Sequence, residues 1–405
     1  MINNIVKIIA SSAAGQVISI ILLPIVAKIY GPTVLGGTSV IQSSAMILAI
    51  VFSLKIDNLI ISSNENKSKD LRELFFFWSI FLLLVGGAAV FLIIENNFFS
   101  EKIIFDIIFC LLAAFFVANF DICKSVCVRQ RIIGNIAFVS AFRSPLLPIL
   151  QIILYYLLPI NYASNVAYVF SCYVVFFIIK NFPQKISYSY YFLNYKKYLN
   201  TLFVNRLDIS KNLVLGALNY TNNFGLPIFM AVIFGGREAG LIALAMRIVG
   251  VPVALIGRAV ADVFVGRAVL LVDDFQNLRK EVIGVCVKLT AFSAVPTFII
   301  FLLPERIYVD FLGSDWIGIK YSICLVWFIG VMQLVVGSVA QILLIIKCES
   351  FLIFWEIVRG CFCFIGLYLM SAHKFDYRET LLFYSLAMCF FYFVLGVKIL
   401  KKLSC

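Results

Sequence analysis

The segment from Ser12 to Ile61 holds two apolar stretches joined at Tyr30-Gly31-Pro32, and half a chain later it returns. Leu226-Pro227-Ile228 repeats Leu23-Pro24-Ile25, and Phe234-Gly235-Gly236 answers Tyr30-Gly31-Pro32. Gly240 follows Gly235 at the spacing at which Gly36 follows Gly31. Each stretch is long enough to cross a hydrocarbon core, which needs about 20 apolar residues. A chain of 405 residues that repeats such a unit at half its length is expected to form two similar helical bundles.

Composition sets the solvent. The chain is 63% hydrophobic and 13% charged, with a mean hydropathy of +1.03, where soluble domains carry about 25% charged residues. Its 40 Phe and 18 Tyr suit lipid-facing surfaces and interfacial belts. With no long polar segment to form a soluble domain, function has to be built from helices and short loops.

Apolar runs place about twelve spans, near 5–28, 36–61, 74–94, 103–123, 136–158, 162–180, 213–233, 240–266, 283–303, 319–346, 352–371 and 380–399. The net charge of +12 is spread along the chain and forms no single patch, which argues against nucleic acid. With the N-terminus inside, most Lys and Arg fall on one side. Lys67, Lys69 and Arg72 are there, as are Lys124, Arg129 and Arg131, the basic residues between Lys180 and Lys211, and Lys398, Lys401 and Lys402. The positive-inside bias places both termini in the cytoplasm. The organisation read from the repeat is a bundle over 1–180, a cytoplasmic connection over 181–212 and a second bundle over 213–405. The connection's Tyr-, Leu- and Lys-rich run fits an in-plane interfacial helix or a plain linker.

Several chemistries are set aside. The first apolar run is too long and too polar in its middle for a signal peptide. The 11 Cys have no zinc-ligand spacing, and the single His, His373, falls in an outside loop, so no metal site is expected. Gly235-Gly236-Arg237-Glu238-Ala239-Gly240 lacks the Gly-Lys-Ser/Thr ending of a phosphate-cradling loop.

The informative residues are the ionisable ones inside spans, each costly unless paired or facing water. In the eighth span Arg247 and Arg258 lie three turns apart on one face, about 16 Å along the axis, on a stripe of Gly and Ala. Asp262 follows Arg258 by one turn. The second span carries Lys55 and Asp57 at the corresponding place in the repeat, the first carries Lys28, and the fifth carries Arg143 just before Pro145 and Pro148. Glu356 with Arg359, and Asp121 with Lys124, read as structural pairs three residues apart. A net cationic set of this kind suits a bulky anionic or polyhydroxylated substrate, because guanidinium groups bind diphosphate bidentately and small residues leave room for sugars. Lys28, Lys55, Arg143, Arg247 and Arg258 are the candidate substrate-binding residues. Asp57 and Asp262 are the candidates for coupling to H⁺ or Na⁺, with no other cofactor.

The stretches LLPIVAKIYGPTVLG with SLKIDNLII, VRQRIIGNIAFVSAFRS, GLPIFMAVIFGGREAGLIALAMRIVGVPVALIGRAVADVFVGRA and FLGSDWIGIKYSICLVW resemble a known family. They are similar to the Wzx-like flippases of O-antigen and other polysaccharide units, within the multidrug/oligosaccharidyl-lipid/polysaccharide exporter superfamily. The resemblance implies an all-α polytopic membrane protein with twelve transmembrane helices in two six-helix bundles around a central cavity. It implies a transporter and not an enzyme, moving undecaprenyl-diphosphate-linked oligosaccharide from the cytoplasmic to the periplasmic leaflet of the bacterial inner membrane by alternating access. Lys28 stands where the family often shows Arg. Expected partners are the lipid-linked oligosaccharide, membrane lipids, and a polysaccharide polymerase with its chain-length regulator. Two rival readings are an O-antigen polymerase, disfavoured by short outside loops, and a multidrug exporter of the same superfamily, disfavoured by deep charges that are mostly basic.

Overall fold

The structure is a computed structural model, and it describes residues 2–95, 99–130, 132–181, 195–271, 274–346 and 348–404. Among these residues the chain is helical throughout, without a strand. The helices are α1 (Ile2–Ser53), α2 (Asp57–Ser62), α3 (Glu65–Glu95), α4 (Glu101–Arg129), α5 (Ile133–Tyr155), α6 (Ile160–Ile179), α7 (Tyr195–Val204) and α8 (Arg206–Phe234). They continue as α9 (Gly236–Leu270), α10 (Phe275–Leu302), α11 (Glu305–Leu312), α12 (Ile319–Met332), α13 (Ile342–Ile345), α14 (Glu349–Ala372) and α15 (Tyr377–Lys402). A π-helical turn, Gln333–Gly337, extends α12.

Among the described residues, nine stretches are long and apolar enough to cross a membrane. One of them, in α1, is two segments, because Gly31 inside it has φ 65° and ψ 173°. With α1 counted twice and the further long helices α5 and α8 added, the long helices among the described residues number twelve, in line with the expected multi-pass membrane protein. Gly31 and Gly235 both take positive φ, 65° and 102°, so the repeat seen in the sequence is a repeat of backbone conformation. Only glycine enters that region without a steric penalty from a Cβ.

The chain packs as two compact units, one of Met1–Tyr30 with Gly37–Ile228, the other of Gly31–Gly36 with Phe229–Cys405. In the first, α4 packs on α3 and α6, and α5 on α6. Ala113, Ala114 and Ala118 of α4 are fully buried in the core that holds Phe75, Ile56 and Ile122. In lipid the apolar effect between helices is weak, and small residues that let backbones approach supply the packing. Polar ties add to this, such as the Trp78 indole N–H donating to the Val51 carbonyl at 3.0 Å. Of the connection over 181–212, residues 182–194 lie outside the described residues, and α7 docks on α3. There Lys197 bridges Asp70 and Glu73, each at 2.8 Å, and these hydrogen bonds raise its ammonium pKa.

In the second unit α12 packs on α9, α10 and α15, and α14 on α15. Here the two repeats of the Gly turn meet. A Cβ on Gly36 would overlap the Gly236 carbonyl and come within 2.8 Å of the Gly240 amide nitrogen. A Cβ on Gly240 would overlap the Pro32 carbonyl. The contact is reciprocal, since Gly36 corresponds to Gly240 and Pro32 to Gly236. Glu356 and Arg359, expected as a pair, are joined at 2.5 Å with Arg359 1% exposed. The guanidinium lies 4.4 Å from the Trp355 ring centroid and donates to the Tyr392 hydroxyl at 3.0 Å.

Candidate functional site

The first charged site begins where α1 stops. The second-span expectation ran unbroken to residue 61, but the helix breaks after Ser53. Leu54 and Lys55 are both left-handed, with φ 49° each. For two successive non-glycine residues this costs about 1–3 kcal/mol apiece. The burial of Leu54 and of Ile56, which has no exposed surface, offsets it. Lys55 is thereby turned back toward Asp57, the first residue of α2, and the two pair at 2.9 Å with side chains 19% and 17% exposed. The Lys55 stem crosses α8 at Gly216, where an added Cβ would lie 3.1 Å from it, and its ammonium stands 5.3 Å from the Tyr220 ring centroid.

Arg143 of α5 and Asp121 of α4 complete the cluster. The Arg143 guanidinium lies 4.4 Å from the ring centroid of Phe120, the residue before Asp121. Asp121 lies deep in the unit yet keeps part of its surface accessible, in the field of Arg143, Lys55 and its own-helix neighbour Lys124, with Asp57 opposing them. Tyr220 faces the same four groups, Lys55, Asp121, Asp57 and Arg143. Two cations and two carboxylates thus share one half-buried region, with Lys55 paired to Asp57, and removing either kind leaves a costly residual charge. Such cations can be handed from an internal carboxylate to an incoming phosphate through charge-assisted hydrogen bonds.

The structure therefore brings Lys55, Asp57 and Arg143 together. It adds Tyr220 and Gly216, which pattern reading along the chain does not single out, and it adds Asp121. Asp121 is in sequence a partner for Lys124, and only the approach of α5 and of the α1 break makes it more. Lys28 stands exposed on α1 before the Gly31 break, and the helix from there to Ser53, about 33 Å long, separates it from Lys55.

The second site is the α9 stripe. Val249 and Val253 pack under Gly330 of α12, and Gly257 lies against Ser338 and Leu334. Gly250, Ala254 and Arg258 lie on a different face and are exposed within the unit, while Arg247 is half-buried. Lipid-facing helices of this chain expose large apolar residues, as α3 does with Leu84 and Phe91 and α10 with Val295 and Phe298. A stripe of Gly, Ala and Arg has the opposite character and fits a wet surface. The Asp262 side chain lies outside the described residues. No group of three or more His, Cys, Asp or Glu able to hold a metal ion occurs among the described residues.

No protein-family model matches the sequence, and no curated protein matches it. Solved structures do. The lipid II flippase MurJ, in an inward closed conformation, superposes with a TM-score of 0.68 at 15% identity, over 100% of this chain and 90% of that one. An outward-facing multidrug resistance MATE family transporter of the MOP superfamily gives 0.54 at 13% identity, over 99% and 96%. A MOP superfamily transporter from Pyrococcus furiosus, described by the reversed polarity of its binding pocket, gives 0.51 at 12%, over 99% and 95%. The protein is a polytopic helical membrane protein, and its fold is the one these solved flippase and transporter structures share.

Proposed function

We propose that this protein is a flippase for undecaprenyl-diphosphate-linked oligosaccharide repeat units, of O-antigen or a similar polysaccharide, carrying them from the cytoplasmic to the periplasmic leaflet of the bacterial inner membrane. The observation that carries the reading is the half-buried set of Lys55, Arg143, Asp57 and Asp121, with Lys55 paired to Asp57, on the fold shared with a lipid II flippase. A diphosphate diester supplies the two negative charges that Lys55 and Arg143 could take up, and the Arg247 and Arg258 stripe of α9 offers further cations beside small residues that leave room for sugars. Lys28 is the remaining cation for the lipid-linked end. Asp57 and Asp262 are the groups we assign to coupling with H⁺ or Na⁺. A polysaccharide polymerase and its chain-length regulator would act on the delivered unit, and both termini would be cytoplasmic. A drug exporter on the same fold would need acids unmatched by bases to hold a cationic drug, and the cluster is balanced instead.

Deletion is expected to make single, complete lipid-linked units accumulate where a periplasmic ligase cannot reach them, as read by extraction and glycan analysis. Normal surface glycan in the deletion strain would end the proposal. Within the site, Gly216→Val should reproduce most of the export loss of Lys55→Ala at unchanged protein level. It removes no charge, but its side chain takes the space of the Lys55 stem. Full export by Gly216→Val would mean that the position of Lys55 does not matter.

A further inference from the structure

The Lys55–Asp57 pair sits on a piece of chain too short to hold its own shape. α2 has six residues, and a helix of that length bears the full cost of nucleation for very few hydrogen bonds. The Ile60 amide donates to the Ile56 carbonyl at 2.9 Å and the Ser63 amide to the Leu59 carbonyl at 3.0 Å. Ser62 Oγ donates to the Asn58 carbonyl at 3.1 Å and Ser63 Oγ to the Leu59 carbonyl at 2.6 Å. The carbonyls of Ile60 and Ile61 belong to the last turn, for which a helix has no amide of its own.

Both accept from Arg129, the last residue of α4. Its Nη1 donates to the Ile60 carbonyl at 3.0 Å and to the Ile61 carbonyl at 3.5 Å, and also to the Ser63 carbonyl just beyond the helix. A guanidinium suits the place, because it is always charged, carries its donors in a fixed fork and meets the negative end of the helix dipole. Between the two helices runs a buried seam, in which Ile56 and Ile60 share a core with Ile122 and Val126 of α4. Asp121 stands before that seam and Arg129 after it, about 12 Å apart along α4, which matches an α2 of about 9 Å with its flanking residues. The chain before α2 is left-handed at Leu54 and Lys55, and such backbone persists only where its surroundings impose it. Upstream it is tied by Trp78 at the Val51 carbonyl, downstream by Arg129.

We infer that Arg129 is a positioning residue for the Lys55–Asp57 pair: by clamping the C-terminal carbonyls of α2 it keeps Asp57 within reach of Lys55 and the left-handed turn between the helices in place. The clamp stands on contacts inside the first unit, and its consequence for export rests on the function proposed above.

The test is amide hydrogen exchange, read by mass spectrometry over overlapping peptides, on the purified full-length protein in lipid nanodiscs. Arg129→Ala should speed exchange at the Ile56 and Ile60 amides, the end of α2 remote from the clamp, by about tenfold or more, as the loss of charge-assisted hydrogen bonds implies. Exchange in α6 should not change. Arg129→Lys, which keeps the charge without the fork, should give an intermediate rate in the same segment, and it decides the matter if Arg129→Ala does not fold. Wild-type rates at Ile56 and Ile60 in every variant that folds would overturn the inference, as would a rise confined to Ser63 or one spread evenly over all the helices. Export of lipid-linked glycan is read alongside, and Arg129→Ala should lose as much of it as Lys55→Ala. Full export by Lys55→Ala would remove the pair from the proposed function, with the exchange rates still deciding the clamp. Export lost by Lys55→Ala and kept by Arg129→Ala would show that the clamp does not position the pair.

Discussion

Gly240→Ala is expected to yield no stably folded protein, with a loss of more than about 3 kcal/mol, because the new Cβ would overlap the Pro32 backbone carbonyl and backbone has no rotamer to retreat into. Gly36→Ala should fail in the same way against Gly236 and Gly240, since the crossing is reciprocal. Gly37→Ala, one residue along, is the control. Nothing lies within 4 Å of its added Cβ, so it should be neutral or stabilising by up to about 1 kcal/mol from helix propensity. Detergent-solubilised yield on size exclusion and thermal melts read all three. Equal behaviour of Gly240→Ala and Gly37→Ala would show that the turn crossing is not a close contact.

Arg359→Ala should be the second severe change, at about 3–5 kcal/mol, because it leaves Glu356 buried without its guanidinium and empties the space between Trp355 and Tyr392. The double change of Glu356→Leu with Arg359→Met removes both charges and keeps the volume. It should recover most of the lost stability, and export with it, if the pair only holds α14 to α15. Recovery of thermal stability without export would instead give the pair a part in transport.

The Gly31 and Gly235 turns were legible from the sequence because a positive φ needs glycine, and the need is met twice at the same spacing. The Glu356–Arg359 pair was legible because its partners are three residues apart on one helix. The break after Ser53 was not, since Leu54 and Lys55 are poor residues for a left-handed turn and adopt it only because Leu54 and Ile56 are drawn into the core. For Asp121 the spacing shows only Lys124, because its other charged neighbours, Arg143 and Lys55, come from other helices. The hydrogen bonds that join Thr38 to Ser164 and Asn165 were invisible for the same reason, since those two stand more than a hundred residues further along the chain and none of the three is charged.

The placement of Gly31–Gly36 with the later part of the chain bears on how the protein is made. Synthesis at about 5–20 residues per second delivers Gly240 some ten to forty seconds after Gly36. Through that interval the first turn is in the membrane with its glycine face bare, although most of the chain around it can already pack. The tightest crossing in the molecule is therefore among the last to close. A translocon or insertase that shields small-residue faces would matter most during this interval, and a ribosome stalled before residue 236 would carry a bundle with an open flank.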